Sequence, residues 1–474
     1  MKQRRDSTRR PARPALAAAV ALTCSLPCQL ASAADTAPSE PAPWRLQDVL
    51  RQDSRLRLSG DVRTRWEGID GQFRAQDRLT DSDHLGFSRT RLRVDIETAP
   101  VAFTVEAMDG RHYGGGVGSA LSVSNVNALD VLQLFAEFRF GTNGNDLPRH
   151  QLRLGRQTID LGSRRLVARN NFRNTINAFT GASWRWVASD TRSSAHVFWT
   201  TPVRRRPDDL ASTIDNVIEL DDQDLDVQFF GGFYERKLRI GALQVEGYVY
   251  GLEEDAPGTR HRSLITPGVR LRRPAATGEL DIEIETAYQF GNSRLDATGP
   301  SLDHQAWFQH LSVGYTFRAP WTPRVRFAFD FASGDRDPDD TDNQRFDTLF
   351  GARRFEYGPT GIYGAIARSN IASPELRLEL KPGSDLQWLV ATRALRLASR
   401  RDTWTAASIT DASGASGRHL GQQVETRIRW NLRQSTVRLE AGIAYLFNGR
   451  FQEEAVGGQG TDTAYGYFQT SWTF

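Results

Sequence analysis

The chain has 474 residues, with 60 Lys plus Arg against 57 Asp plus Glu and a formal net charge of +3. That balance provides no global field for nucleic acid, and two cysteines in such a length do not make a disulfide-stapled secreted domain. No stretch supplies the roughly 20 consecutive apolar residues of a membrane-spanning helix, so a helical membrane protein is excluded as well.

Lys2, Arg4, Arg5, Arg9, Arg10 and Arg13 precede the apolar "ALAAAVALTCSL" and the small residues Ala31 to Ala33. This order reads as a cleavable secretory signal over residues 1–33, which would also remove Cys24 and Cys28. The Pro-rich "DTAPSEPAPW" opens a short periplasmic linker, expected over residues 34–51. The whole sequence holds three lysines, at 2, 237 and 381, so nearly every cation downstream is a guanidinium suited to carboxylates and phosphates.

The body of the chain is expected to be all-β. In "FSRTRLRVDIET", Arg89, Arg91, Arg93, Asp95 and Glu97 alternate with Thr90, Leu92, Val94 and Ile96. Such alternation fits a soluble antiparallel sheet with its arginines in bulk water, or a barrel strand between lipid and a watery lumen. The pattern recurs over 56–66, 87–98, 101–109, 131–140, 151–159, 178–187, 195–201, 225–234, 241–251, 263–271, 280–290, 307–317, 324–332, 375–381, 386–396, 422–432, 436–447 and 465–474. These eighteen segments have the length of tilted strands crossing a bilayer, and the connections alternate between long links and short turns such as "KPGS". The chain ends on "YFQTSWTF", with Phe468, Trp472 and Phe474 on one face, as in barrels whose last strand carries an aromatic assembly signal. Together these features predict a transmembrane antiparallel up-and-down β-barrel of about 18 strands over residues 52–474, with short periplasmic turns and long extracellular loops.

Lipid then sets the inward face. An arginine at the bilayer midplane costs about 2 to 4 kcal/mol, so Arg89, Arg91 and Arg93 are expected to face the lumen. The same reasoning turns Arg57, Asp61, Arg63, Arg65, Gln133, Glu137, Arg139, Asp281, Glu283, Glu285, Arg427 and Arg429 inward. Closure pairs the last strand with the first, which gathers Arg63, Arg65, Arg89, Arg91, Arg93, Arg427 and Arg429 on one sector, beside the acids Asp61, Asp95, Glu97 and Glu425. Eighteen strands enclose an aqueous passage.

At "LRLGRQTIDLGSRRLVARNNFRNTINAFTG", residues 152–181, the sequence resembles the alginate-export family of outer-membrane barrels. The resemblance rests on Gly155-Arg156-Gln157, Gly162, Arg165, Leu166, Phe172-Arg173-Asn174-Thr175 and Phe179. A second stretch, "FASGDRDPDDTDNQRFDTLFGARRFEYG", residues 331–358, is similar to that family's acidic loop followed by Phe346, Leu349-Phe350 and Tyr357-Gly358; Thr180-Gly181 in the first stretch and Glu356 in the second depart from the family pattern. The resemblance implies an 18-stranded monomer in the bacterial outer membrane, passing an anionic uronic-acid polymer through an arginine-lined lumen. Combined with the alternation, it makes Arg63, Arg65, Arg89, Arg91, Arg93, Arg139, Arg156, Arg173, Arg353, Arg427 and Arg429 the expected solute-binding residues. The expected partners are an anionic polysaccharide or small anionic solute, outer-membrane lipid and lipopolysaccharide, and the barrel-assembly machinery, with no nucleic acid.

No nucleophile elbow, phosphate loop or paired-histidine motif is present, so neither catalysis nor a cofactor is expected. Asp335, Asp337 and Asp339 form the one candidate Ca2+ cluster, against the plainer reading of a solvated acidic loop. Arg353 and Arg354 lie in the same long link, which either folds into the lumen or stays outside. Passive diffusion of anions along the arginines is the expected function. The alternative is a surface adhesin acting through its long loops, especially 333–374.

Overall fold

A computed structural model describes residues 44–50, 55–141, 148–255, 261–294, 298–432 and 436–474. The expected signal at 1–33 lies outside the described residues, as does most of the linker. The strands are β1 (Leu56–Asp70), β2 (Ser82–Thr98), β3 (Val101–Tyr113), β4 (Asn127–Phe140), β5 (Arg149–Gln157), β6 (Phe179–Val187), β7 (Ser193–Arg204), β8 (Asp222–Gln223), β9 (Val227–Lys237) and β10 (Gln244–Glu254). They continue with β11 (Arg262–Arg273), β12 (Leu280–Ser293), β13 (Leu302–Thr316), β14 (Arg324–Ala332), β15 (Asp342–Asn343), β16 (Ile371–Leu380), β17 (Leu386–Arg396), β18 (His419–Leu432), β19 (Val437–Asn448) and β20 (Thr463–Thr473).

Setting aside the two-residue β8 and β15, eighteen strands pair antiparallel with their chain neighbours, and β1 closes the barrel on β20. Every segment expected from the alternation is a strand, but many run further at their outer ends: β1 continues to Asp70 and β18 begins at His419. The ladder persists there although lipid no longer sorts the two faces, so the sequence signal stops before the strand does.

The outward face carries Leu92, Ile96, Phe103, Leu134, Trp307, Trp388, Ile428 and Phe468, all exposed in the isolated chain. Their lumenal neighbours are the charged residues. No helix among the described residues is long and apolar enough to cross a membrane. At the closing seam Gly60 and Phe474 exchange two backbone hydrogen bonds of 2.9 and 3.0 Å, and Phe474 packs against Trp472 and Trp44. The short turn of helix at Leu46–Val49 is tied to β1 by Gln47, which accepts from Leu58 N and donates to Leu56 O.

Candidate functional site

A barrel of eighteen strands is wide enough to admit folded loops, and two of its long loops turn into it. The β5–β6 loop, residues 158–178, and the β14–β16 loop, residues 333–370, turn inward, and Leu166, Val167, Ile176, Phe346, Tyr357, Ile362 and Tyr363 are buried. They meet in a short parallel bridge at Val167 and Phe350, where Phe350 N donates to Leu166 O and Ala168 N to Phe350 O. The approach demands glycine at Gly351, against backbone, and brings Gly361 close against a wall side chain. A Cβ on Gly351 would lie 1.7 Å from Arg165 O, and one on Gly361 would lie 1.9 Å from Glu67 Oε2 on the wall.

Loops buried in this way must satisfy their polar groups, and charged side chains of the wall do it. Arg165, from the first loop, bonds Glu283 and Glu285 of β12 and Glu356 of the second loop. Glu356 also takes Arg368, whose guanidinium further donates to Arg165 O and Ala352 O. Below it Arg393 reaches Asp330 and Glu375, and Arg377 donates to Glu375, Phe355 O and Glu356 O. Burial pushes the Glu356 carboxyl up, but Arg165 and Arg368 outweigh it and hold the group below the usual carboxylate range. His310, Asp330 and Glu356 approach within 4.8 Å of one another, a spacing a cation would accept, yet Arg165, Arg368 and Arg393 already supply the compensating charge.

The expected solute-binding arginines fall into three groups. Arg63, Arg65 and Arg89 are buried and donate to the loop segment Asn171 to Asn174. A second group is paired with carboxylates: Arg91 with Asp61 and Glu106, Arg93 with Asp95, Arg139 with Glu137, Arg156 with Asp130, and Arg429 with Glu440. Arg173, Arg353 and Arg427 form the third group and make no ion pair among the described residues. Burial, reinforced by Arg353 and Arg205, lowers the Arg173 guanidinium to about 9, and burial with Arg368 lowers Arg353 to about 10. Arg353 and Arg354 have therefore taken the inward alternative, with Arg354 bonded to Glu425 and Tyr467.

Arg173 and Arg353 share a cavity of about 580 Å3 whose lining holds seven arginines and one carboxylate, Asp347. Arg91 and Arg93 line a smaller one of about 240 Å3 with Asp61, Glu106 and Arg169. Arg139 and Arg156 lie on β4 and β5, away from both. Of the acidic-loop trio, Asp337 and Asp339 are bridged by Arg401 at 2.8 and 2.9 Å, while Asp335 is buried beside Asp402. The Arg401 guanidinium thus supplies a positive charge between those two carboxylates.

Sequence reasoning gave no interior role to Glu356, Arg368, Arg393 or Arg74, which organise the lumen. For Arg74, Glu356 and Arg368 the only signal was the density of charge in loops whose composition reads as solvent-exposed, whereas Arg393 sits on β17.

A model described as "Alginate export" matches residues 54–465. No curated protein matches the chain in sequence. Among solved structures, OccAB1 of Acinetobacter baumannii is similar at a TM-score of 0.57 and 13% identity, covering 88% of this chain and 96% of its own. A BenF-like porin from Pseudomonas fluorescens Pf-5 is similar at 0.56 and 10%, covering 88% and 98%. OpdL of Pseudomonas aeruginosa is similar at 0.54 and 13%, with the same coverage of 88% and 98%. At these identities the likeness is one of fold.

Proposed function

Because this chain belongs to the alginate export family and forms an outer-membrane barrel of the porin type, we propose that it conducts anionic solutes or uronic-acid polysaccharide by passive diffusion. The observation that carries this reading is the cavity of seven arginines and one carboxylate, with Arg173 and Arg353 uncompensated by any ion pair among the described residues. Half-buried guanidiniums without counter-ions, such as Arg173 and Arg353, attract a carboxylate more strongly than paired ones, because no internal partner has to be displaced. The inward course of 333–370 also disfavours the adhesin reading, which needs that loop outside to meet a partner.

Planar-bilayer recording tests the proposal. Wild-type channels prefer anions by reversal potential, and uronic-acid oligomers block chloride current reversibly. The R173Q/R353Q variant loses most of both effects, and the preference fades at high salt as the field is screened. A cation-selective channel, or one whose selectivity ignores both substitutions, refutes it.

A further inference from the structure

The register of the first hairpin sets up a problem in electrostatics. Arg63 of β1 stands directly opposite Arg89 of β2, and Arg65 follows two residues along on the same inward face. Like charges facing each other across two strands are destabilising, more so when both are buried, and neither Arg63 nor Arg89 bonds a carboxylate among the described residues. Two residues back along the ladder the problem does not arise, because Arg91 stands opposite Asp61.

What faces the clashing pair is backbone. Arg63 donates four hydrogen bonds: to Asn171 O at 2.9 Å, Phe172 O at 3.1 Å, Arg173 O at 2.8 Å and Asn174 Oδ1 at 3.0 Å. Arg89 donates three, to Asn171 O and Arg173 O at 3.1 Å and to Asn171 Oδ1 at 2.9 Å. Arg65, held by Glu67, donates to Phe172 O and lies over the Phe172 ring at 4.4 Å. Three successive carbonyls pointing at one cationic patch form a concentrated negative end, the kind of partner that planar guanidinium forks can grip at several points. Asn174 completes the attachment by donating from Nδ2 to Ser88 O, Arg111 O and Asn125 O, and Thr175 beside it is fully buried.

We propose that Arg63, Arg65 and Arg89 are positioning residues, a latch that holds segment 171–174 inside the lumen and so places Arg173 at the solute path. The solute meets Arg173 and Arg353 on the loops, while the wall arginines behind them are occupied by carbonyl oxygens. A lysine keeps the charge but concentrates its donors on one nitrogen, and it cannot span several carbonyls.

The charge-conserving variant R63K/R65K/R89K separates latch from charge. In a T175C background, the introduced thiol reacts with a water-soluble thiol reagent at least about tenfold faster in the Lys variant than with the arginines in place, because the segment opens more often. Single-channel conductance rises about twofold as the lumen widens, while anion preference is kept. If the Lys variant labels and conducts like wild type while R63Q/R65Q/R89Q alters selectivity, the three act as solute-facing charges and the latch is overturned. Should the triple variant fail to give heat-modifiable folded barrel, R89K alone decides, and an unchanged labelling rate of the T175C thiol overturns the proposal. The conductance arm rests on the channel reading and the labelling arm does not, so faster labelling without any conductance leaves the latch standing and removes the channel.

Discussion

Glu356→Gln is the sharpest test of how the interior is held. The substitution nearly keeps the shape of the side chain, removes one buried charge, and replaces one of the two oxygens that accept from Arg165 and Arg368 with an NH2 donor. Arg165 retains Glu283 and Glu285, but Arg368 is fully buried and has Glu356 as its carboxylate partner, its other acceptors being Arg165 O and Ala352 O. Removing one member of a buried ion pair costs about 3 to 5 kcal/mol. The amide still accepts a hydrogen bond, so the lower end, about 3 kcal/mol, is the expected loss in docking of the 333–370 loop. At about 1.4 kcal/mol per tenfold, the open population rises roughly hundredfold. Trypsin reads that population, because Arg353, Arg354 and Arg368 are shielded in the docked loop and cleavage follows opening. Folded E356Q barrel in detergent should be cut at these three sites roughly hundredfold faster, with cleavage at the exposed Arg400 unchanged as the control. Rates within about twofold of wild type would refute the claim that this charge network, and not apolar packing, pins the loop.

Cysteines introduced at positions 91 and 427, in place of Arg91 and Arg427, should react with a small aqueous thiol reagent in the folded barrel, while those replacing Leu92 and Ile428 are shielded by detergent; the reverse pattern would exchange the two faces. Phe474→Asp should cut the yield of heat-modifiable barrel severalfold, since it places a charge among Trp44, Trp472 and the β1–β20 seam, and wild-type yield would remove that role. Asp221 docks the loop between β7 and β9 on the barrel wall, accepting from Asn127 Nδ2 of β4 and, at its carbonyl, from Arg156 of β5, and its carboxyl is raised to about 7 by burial and then by Asp130. The docked form therefore binds its proton more tightly than the open form, so docking is strongest below about pH 4 and weakens as pH rises through 7. Proteolysis of residues 205–226 across that range should accelerate with pH in wild type and stay flat in D221N, and equal slopes would exclude Asp221 as the cause.

The wall was legible in the sequence because lipid imposes a separate demand on every second residue. Arg89, Arg91 and Arg93 could face only the lumen and Leu92 and Ile96 only the bilayer, so face, strand number and the alternation of long and short connections all followed from local pattern. The interior was not legible. A loop folded into a charged lumen keeps the polar composition of a loop in solvent, and nothing local distinguishes Glu356 or Arg368 in the 333–370 loop from the solvent-accessible acids Asp337 and Asp339 of the same link. The arginine sector shows the same division. Parity put the side chains on one face, but strand register set Arg91 against Asp61 and Arg63 against Arg89, and the inward fold of a segment about 110 residues away brought the carbonyls that Arg63 grips. Orientation toward lipid or water is decided residue by residue, whereas the partner of a buried charge depends on which distant groups the closed barrel brings within about 3 Å, and only the tertiary structure decides that.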